Sequence, residues 1–113
     1  MAYDQQLAER IRKQLSHLSP VEEKEMMGGL TFMYNGKMCV GIIKDELMCR
    51  VDKTIHHQLV EQPGCRTMDF THRPMMGYVL VEPAAIKTQK QLDYWIGLAL
   101  DFNKHAKSSR KKK

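Results

Sequence analysis

Apolar residues near both ends of the chain recur at the spacing of one helix face. Near the start, steps of four, four and three residues separate Leu7, Ile11, Leu15 and Leu18. This spacing predicts an amphipathic helix over residues 4–18. Near the end, Thr88 and Gln91 have the spacing of a capping box. A broad apolar face follows them, which predicts a last helix that runs to about residue 105.

Between these helices, short apolar runs separated by turn residues predict strands. The strongest local signal is Asn35-Gly36, because a type I′ hairpin turn needs positive φ at two positions, which Asn and Gly tolerate best. In this hairpin we expect Met33 to face Met38 and Phe32 to face Cys39. Further strands are predicted at residues 21–27, 46–51, 66–70 and 77–81.

Both faces of the predicted hairpin are largely apolar. One face is expected to carry Leu30, Phe32, Cys39 and Ile43, and the other Met33, Met38, Val40 and Ile42. In the following strand, residues 46–51, apolar and polar positions alternate, which predicts one buried face and one solvated face that includes Met48. A hairpin that is apolar on both sides is expected at the centre of a sheet, or with one face open to a partner.

The order of the predicted elements indicates the fold class. Asp52 is expected to cap a short helix over residues 53–61, which Pro63-Gly64 ends. The chain then runs helix, several strands, helix, two strands, helix, an order that predicts an α+β fold with a mostly antiparallel sheet and helices on one face. The length of 113 residues suits one domain, placed at residues 1–106, with a disordered basic tail at 107–113.

The positive charge of the chain is concentrated in this tail. The formal net charge is +5, and the tail holds five cations and no acid, so the rest of the chain is formally neutral. Charge therefore points to nucleic acid only through Lys107, Arg110, Lys111, Lys112 and Lys113. The tail has no aromatic residue to stack on bases, so such binding would lack sequence preference. The alternative is a tail that only keeps the protein in solution.

No catalytic, cofactor or metal site is predicted. The chain lacks a G-x-S-x-G motif and a phosphate-binding loop. Cys65 beside Arg66 is the best candidate for a reactive thiol, whereas Cys39 and Cys49 are expected to be buried and inert rather than joined in a disulfide. Solvated histidines are favoured over a metal site, which would have to combine His56, His57, Cys65 and His72.

Cysteine content and hydropathy predict the compartment. Three cysteines without CxxC spacing favour a reduced protein. The first residues lack the apolar core of a signal peptide, and no apolar run approaches the roughly 18 residues of a membrane span. We therefore expect a cytoplasmic protein without membrane contact.

One polar loop, residues 71–74, has the chemistry to bind an anion. Arg73 would supply a guanidinium fork and His72 a second donor. An ion pair between Arg73 and Asp69 is the favoured alternative. The neighbouring Met75-Met76 is expected in the core rather than on a binding surface.

Four segments, taken in order, resemble one protein family. They are MAYDQQLAERIR, EKEMMGGLTFMYNGKMCVGIIKDELMCRV, PGCRTMDFTHRPMMGYVLVEP and the last helix with Trp95. The specific motifs within them are M-x-G-G-L, N-G-x-M-C and M-D-F-T-x-R-P-M. From about residue 2 to residue 102, the chain is similar to the N-terminal domain of the TfoX/Sxy family of bacterial competence regulators.

This resemblance implies a two-layer α/β sandwich of the secretion-chaperone-like kind and no catalytic residues. Full-length members of the family continue into a second, helical domain. They promote transcription of competence genes together with the cyclic-AMP receptor protein. This chain ends before such a domain, so we expect a stand-alone N-terminal domain.

The leading hypothesis is therefore a bacterial regulatory or adaptor protein that acts by protein–protein contact. The expected contact surface is the sheet near Met33, Met38 and the loop with His72 and Arg73. The expected partner belongs to the transcription machinery, with a homodimer as an alternative use of the same surface. Two other hypotheses are non-specific nucleic-acid binding through the tail and a small thiol-dependent enzyme that uses Cys65.

Overall fold

The structure, a computed structural model, describes residues 3–18, 21–26, 29–70 and 73–104. Within these ranges the helices are α1 (Gln5–Gln14), α2 (His56–Val60) and α3 (Gln89–Asn103). The strands are β1 (Val21–Met26), β2 (Gly29–Tyr34), β3 (Lys37–Ile43), β4 (Glu46–Arg50), β5 (Cys65–Phe70) and β6 (Arg73–Val81). Short 3₁₀ turns at Lys53–Ile55 and Pro83–Ala85 precede α2 and α3. The predicted α+β class is confirmed.

The strands form a single sheet in the order β1-β2-β3-β4-β6-β5. Every neighbouring pair is antiparallel, as predicted. The strands β1 to β4 follow one another along the sheet, whereas β6 lies between β4 and β5. The edges of the sheet are therefore β1 and β5.

A side chain caps the start of each predicted helix, and the caps at Asp52 and Thr88 are the ones predicted. The Asp4 carboxylate accepts hydrogen bonds from two backbone N–H groups in the first turn of α1, at 2.9 and 3.3 Å. The Asp52 carboxylate accepts from the backbone N–H of Thr54 at 2.9 Å. At α3, Thr88 and Gln91 form both halves of the capping box. These side chains satisfy N–H groups that a helix leaves unpaired at its start.

The helices pack against one face of the sheet and form the main core with it. Apolar side chains of all three helices share this cluster with side chains that point to the same face of the strands. Its members include Ile11, Leu59, Trp95 and Ile96 from the helices, and Phe32, Ile42, Leu47 and Val79 from the strands. The expected helix layer on one face is thus confirmed.

The Asn35-Gly36 hairpin forms as predicted, but a β-bulge changes the faces of its second strand. Asn35 and Gly36 have φ values of 57° and 75°, as a type I′ turn requires. Met33 pairs with Met38, but the register then shifts, so that Phe32 pairs with Val40 and not with Cys39. The predicted faces are therefore wrong beyond the bulge. Val40 and Ile42 join the main core, and Ile43 points to the opposite face.

β6 begins earlier than the sequence predicts. The sequence predicts residues 73 and 74 in a loop and the strand only from residue 77. In the structure residues 73–76 belong to β6, and residues 73–75 pair with β5, with Asp69 opposite Pro74. The pairing of β4 with β6 covers only Tyr78 to Val81. Among the described strands, β6 therefore has a neighbour on only one side at Pro74. Proline is tolerated in sheets at such edge positions.

A second, smaller cluster lies on the sheet face opposite the helices. It consists of Met33, Met38, Met48, Met68 and Leu80, and we call it the methionine cluster and its side of the sheet the methionine face. Neighbouring strand residues point to opposite faces, and Met48 lies between Leu47 and Cys49 of the main core. The prediction that Met48 is solvated is wrong, since it is only 1% exposed.

Candidate interaction surface

Met33 and Met38, the two methionines predicted to contact a partner, form part of the base of the methionine face. They lie opposite each other on β2 and β3, and their exposed fractions are 5% and 7%. Register shifts occur beside the cluster in both flanking hairpins, at Phe32/Met33 and at Thr67/Met68. Bulges of this kind bend strands and increase their twist. Met33 and Met38 thus support the surface from below.

The accessible part of the methionine face lies around this buried base. Ile43, Met75 and Tyr78 are half-buried against the cluster. Met76 is 40% exposed and is one of two large hydrophobic residues that the structure describes as exposed. The expectation of a core position holds in part for Met75, which packs against the cluster, and is wrong for Met76. Ile43, Met75 and Tyr78 are the side chains of the methionine face that a partner can touch without rearranging the sheet.

A bidentate ion pair forms a polar border on this face. Arg66 Nη2 donates a hydrogen bond of 2.7 Å to Glu46 Oε1, and Arg66 Nη1 donates to Glu46 Oε2. Arg66 is paired with Leu80 of β6, so the ion pair spans from β5 across β6 to β4. The hydrogen bond to Glu46 raises the pKa of Arg66. The Arg66 side chain is 59% exposed. Solvent therefore screens the ion pair, and its contribution to stability is small.

The three cysteines are free thiols in the main core. Burial raises the pKa of Cys65 to about 11 and that of Cys39 to about 12. Burial also raises the pKa of Cys49, which pairs with Val40 rather than Cys39. A nucleophilic cysteine needs a thiolate at neutral pH. The arrangement therefore gives no support to a thiol enzyme that uses Cys65, and it contains no disulfide.

His56 is a buried core residue and not the solvated histidine that the sequence predicts. It is 1% exposed, and its Nδ1 accepts a hydrogen bond of 2.9 Å from the backbone N–H of Gly77. Its Nε2 therefore carries the proton and donates to Thr67 Oγ1, also at 2.9 Å. Burial, and then the neighbouring His57, lower the pKa of His56. His57 itself is exposed, as expected.

A shallow cleft of about 480 Å³ lies on the opposite side of the molecule from the methionine face. It opens between the turn before β5 and the first turns of α3. Tyr94, the other exposed large hydrophobic residue at 46%, lines it, and its hydroxyl accepts a hydrogen bond of 2.8 Å from Gln62 Nε2. Within the described residues, no group of three or more His, Cys, Asp or Glu side chains is arranged to hold a metal ion.

The comparison with known families decides the classification. The sequence model of the TfoX N-terminal domain matches residues 13–103. This chain belongs to the TfoX N-terminal domain family. The resemblance that the motifs indicate is thereby confirmed. No curated protein and no solved structure matches the chain.

The motifs behind that resemblance converge on the methionine face of this TfoX domain. N-G-x-M-C forms the β2–β3 turn and supplies Met38 to the cluster. M-D-F-T-x-R-P-M spans the β5–β6 hairpin, where Met68 and Met75 pair with each other. Both methionines pack in or against the methionine cluster. These two family motifs thus contribute to one surface. The spacing of hydrophobic residues alone does not predict that they meet there.

Gly29, in the M-x-G-G-L motif, is required by close approach of the backbone in the TfoX domain. A Cβ at this position would lie 1.9 Å from the carbonyl oxygen of Ile42. That distance is far inside van der Waals contact, and the obstacle is backbone. Only glycine fits at the start of β2 without moving β3.

Several predicted site residues of the TfoX domain lie outside the described part of the chain. His72 is one of them, and the side chain of Arg73 is another, although its backbone begins β6 opposite Phe70. The tail cations Lys107, Arg110, Lys111, Lys112 and Lys113 also lie outside it. Anion binding by the loop, the Arg73–Asp69 pair and nucleic-acid binding by the tail therefore stay predictions. Among the described residues, no helix is long and apolar enough to cross a membrane.

Proposed function

We propose that this TfoX domain is a regulatory or adaptor protein related to bacterial competence regulators and that it acts by protein–protein contact through the methionine face. One observation carries the proposal. Two of the motifs that relate the chain to its family meet on the same sheet face, at Met38, Met68 and Met75. A binding surface accounts for that convergence without any catalytic group.

The chemistry of the methionine face suits a binding role. Methionine is unbranched and polarisable, so a surface rich in it can adapt to the shape of a partner. Met76 is exposed, and the half-buried Met75 and Tyr78 lie beside it in β6. An interface of this kind would bury Met75 as an apolar anchor, and the ion pair of Arg66 with Glu46 would lie toward its polar rim.

The partner we propose is a component of the transcription machinery in the cytoplasm. The basis is the family relationship, because competence regulators of the TfoX/Sxy family act with the cyclic-AMP receptor protein. A second copy of the chain is the alternative occupant of the same face. Catalysis is not part of the proposal, since burial keeps the three thiols protonated.

A binding measurement with two surface variants tests the proposal. The full chain would be immobilised and exposed to purified RNA polymerase and cyclic-AMP receptor protein, separately and together. Met75→Lys places a charge on the methionine face, and Tyr94→Lys places the same charge at an exposed residue beside the cleft. We expect Met75→Lys to weaken binding by at least about tenfold, or about 1.4 kcal/mol, and Tyr94→Lys to leave it within about twofold.

Two results would overturn this proposal. One is the absence of binding to either protein at concentrations well above those in a cell. The other is an equal loss in both variants, which would mean that added charge and not the methionine face controls the contact. Light scattering on the wild-type chain tests the alternative occupant, because a dimer that Met75→Lys dissociates would assign the face to a second copy.

A further inference from the structure

Three cations lie together where α3 ends. The Lys37 Nζ donates a hydrogen bond of 3.0 Å to the backbone oxygen of Asn103. The Arg50 Cζ lies 5.7 Å from the ring centre of Phe102, and Lys104 follows these residues and is exposed. Because positions 102–104 are consecutive, all three positive charges lie at one end of the domain. We call Lys37, Arg50 and Lys104 the basic end.

Arg50 differs from the arginines that are neutralised by carboxylates. Arg12 and Arg66 each form bidentate ion pairs, with Glu23 and Glu46. Arg50 instead lies beside two aromatic rings, at 5.8 Å from the centre of Tyr78 and 5.7 Å from that of Phe102. No carboxylate in the described ranges pairs with it.

Those two rings prepare Arg50 for an anion. A guanidinium that packs on aromatic faces keeps its charge and a fixed orientation, while its N–H groups still point outward in its own plane. That planar fork matches two oxygens of a phosphate. Arg50 is therefore a preorganised donor that lacks an acceptor among the described residues.

The basic end has a rigid support. The Asn103 Nδ2 donates to the backbone oxygen of Tyr34, so the last turn of α3 is fastened to the β2–β3 hairpin. The last turn contains one acid, the exposed Asp101, against the three cations. The positive charge at this end is thus held on packed elements and is only partly balanced.

We propose that the basic end binds the phosphate backbone of a nucleic acid. The proposal goes beyond protein–protein contact, and none of its three cations belongs to the methionine face. The two sites share only Tyr78, whose ring lies beside Arg50. A nucleic acid is favoured over an acidic peptide because its phosphates repeat at regular intervals and can reach separated cations without matching side chains. Five further cations follow Lys104 in the sequence, so the test has to separate their contribution from that of the basic end.

The proposal makes a quantitative statement about salt. For duplex DNA, log K falls against log salt with a slope of about −0.9 for each phosphate contact. Three contacts at the basic end predict a slope of about −2.7, and adding five in the tail predicts about −7.2. A chain that binds through the tail alone would show a slope of about −4.5.

The slope of log K against log salt is measured by fluorescence anisotropy over about 50–200 mM salt, with a labelled random-sequence duplex of about 20 base pairs. The full chain would be compared with Arg50→Gln and with Arg12→Gln, a matched control that removes the same charge from an arginine already neutralised by Glu23. We expect Arg50→Gln to bind about 5- to 10-fold more weakly near 100 mM salt and to lose about 0.9 from the slope. Arg12→Gln is expected to stay within about twofold.

Further variants separate the basic end from the tail and from folding. Lys37→Gln is expected to reduce the slope by about 0.9 as well, and it keeps the test valid if Arg50→Gln fails to show the wild-type circular dichroism. With all five tail cations changed to Gln, binding with a slope of about −2.7 should remain. The proposal is overturned if that variant loses all binding, if Arg50→Gln and Arg12→Gln behave alike, or if polyglutamate displaces the duplex at equal charge concentration.

Discussion

The two faces of the sheet are packed with different kinds of side chain. On the helix side, branched and aromatic residues such as Phe32, Ile42 and Trp95 interlock with three helices. On the other side, four methionines and one leucine form the methionine cluster, and half-buried side chains of β3 and β6 pack around it. Branched residues have few rotamers and specify one arrangement, whereas methionine has several. The helix side therefore fixes the fold, and the methionine face can adjust without losing it.

Truncation of neighbouring residues on the two faces should show the largest effect. Phe32 and Met33 are adjacent in β2 but belong to different clusters. We expect Phe32→Ala to lower the free energy of unfolding by about 3–5 kcal/mol and Met33→Ala by about 2 kcal/mol, because the flexible methionines can fill part of the space. Urea denaturation measures both. An equal or greater loss for Met33→Ala would show that the methionine cluster is as rigidly packed as the main core.

A smaller effect should follow pH, through the buried histidine on the helix side. Burial lowers the pKa of His56 in the folded state, so the unfolded chain binds more protons as the pH falls below about 6.5. The free energy of unfolding is therefore expected to decrease between about pH 7.5 and pH 5, until the folded-state pKa is reached. Urea titrations at several pH values measure this decrease.

The neighbouring histidine provides the control for that prediction. His56→Gln should flatten the pH dependence, because no buried imidazole remains to be protonated. His57→Gln, an exposed change in the same helix, should retain most of it. A wild-type profile that is flat from pH 7.5 to 5, or one that both variants flatten equally, would contradict the assignment to His56.

The smallest effect is expected at the surface ion pair that joins α1 to β1. Arg12 contacts Glu23 at 2.7 and 2.8 Å and lowers the pKa of that carboxyl. Both side chains are about one third exposed, so we expect Arg12→Gln to cost less than about 1 kcal/mol. The cost should vanish in about 1 M salt, where screening is strong. A cost that is independent of salt would mean that the packing of Arg12 matters more than its charge.

The sequence predicts those parts of the fold that depend on neighbouring residues. The Asn35-Gly36 turn and the Asp52 and Thr88 caps each require only a few adjacent positions, and all three form as expected. The same holds for the α+β order, because helical and strand periodicities differ within single segments. Family membership also followed from short motifs.

The features that were missed depend on partners distant in sequence. The bulge that moves Val40 and Ile42 to the helix side arises from the pairing of two strands. Met48 looks solvated within its own strand and is buried only because Met33, Met38, Met68 and Leu80 surround it. His56 is buried because Thr67 and the backbone of Gly77 satisfy both ring nitrogens. No local pattern encodes such contacts.

The first edge of the sheet has a consequence for solubility. In β1, four successive residues are exposed on both faces: Glu22, Glu23, Lys24 and Glu25. An edge strand offers unpaired backbone groups to any other strand, and charged side chains oppose that addition. Two copies that met edge to edge here would bring glutamates of like charge together. The charges of β1 thus oppose growth of the sheet into aggregates at this edge.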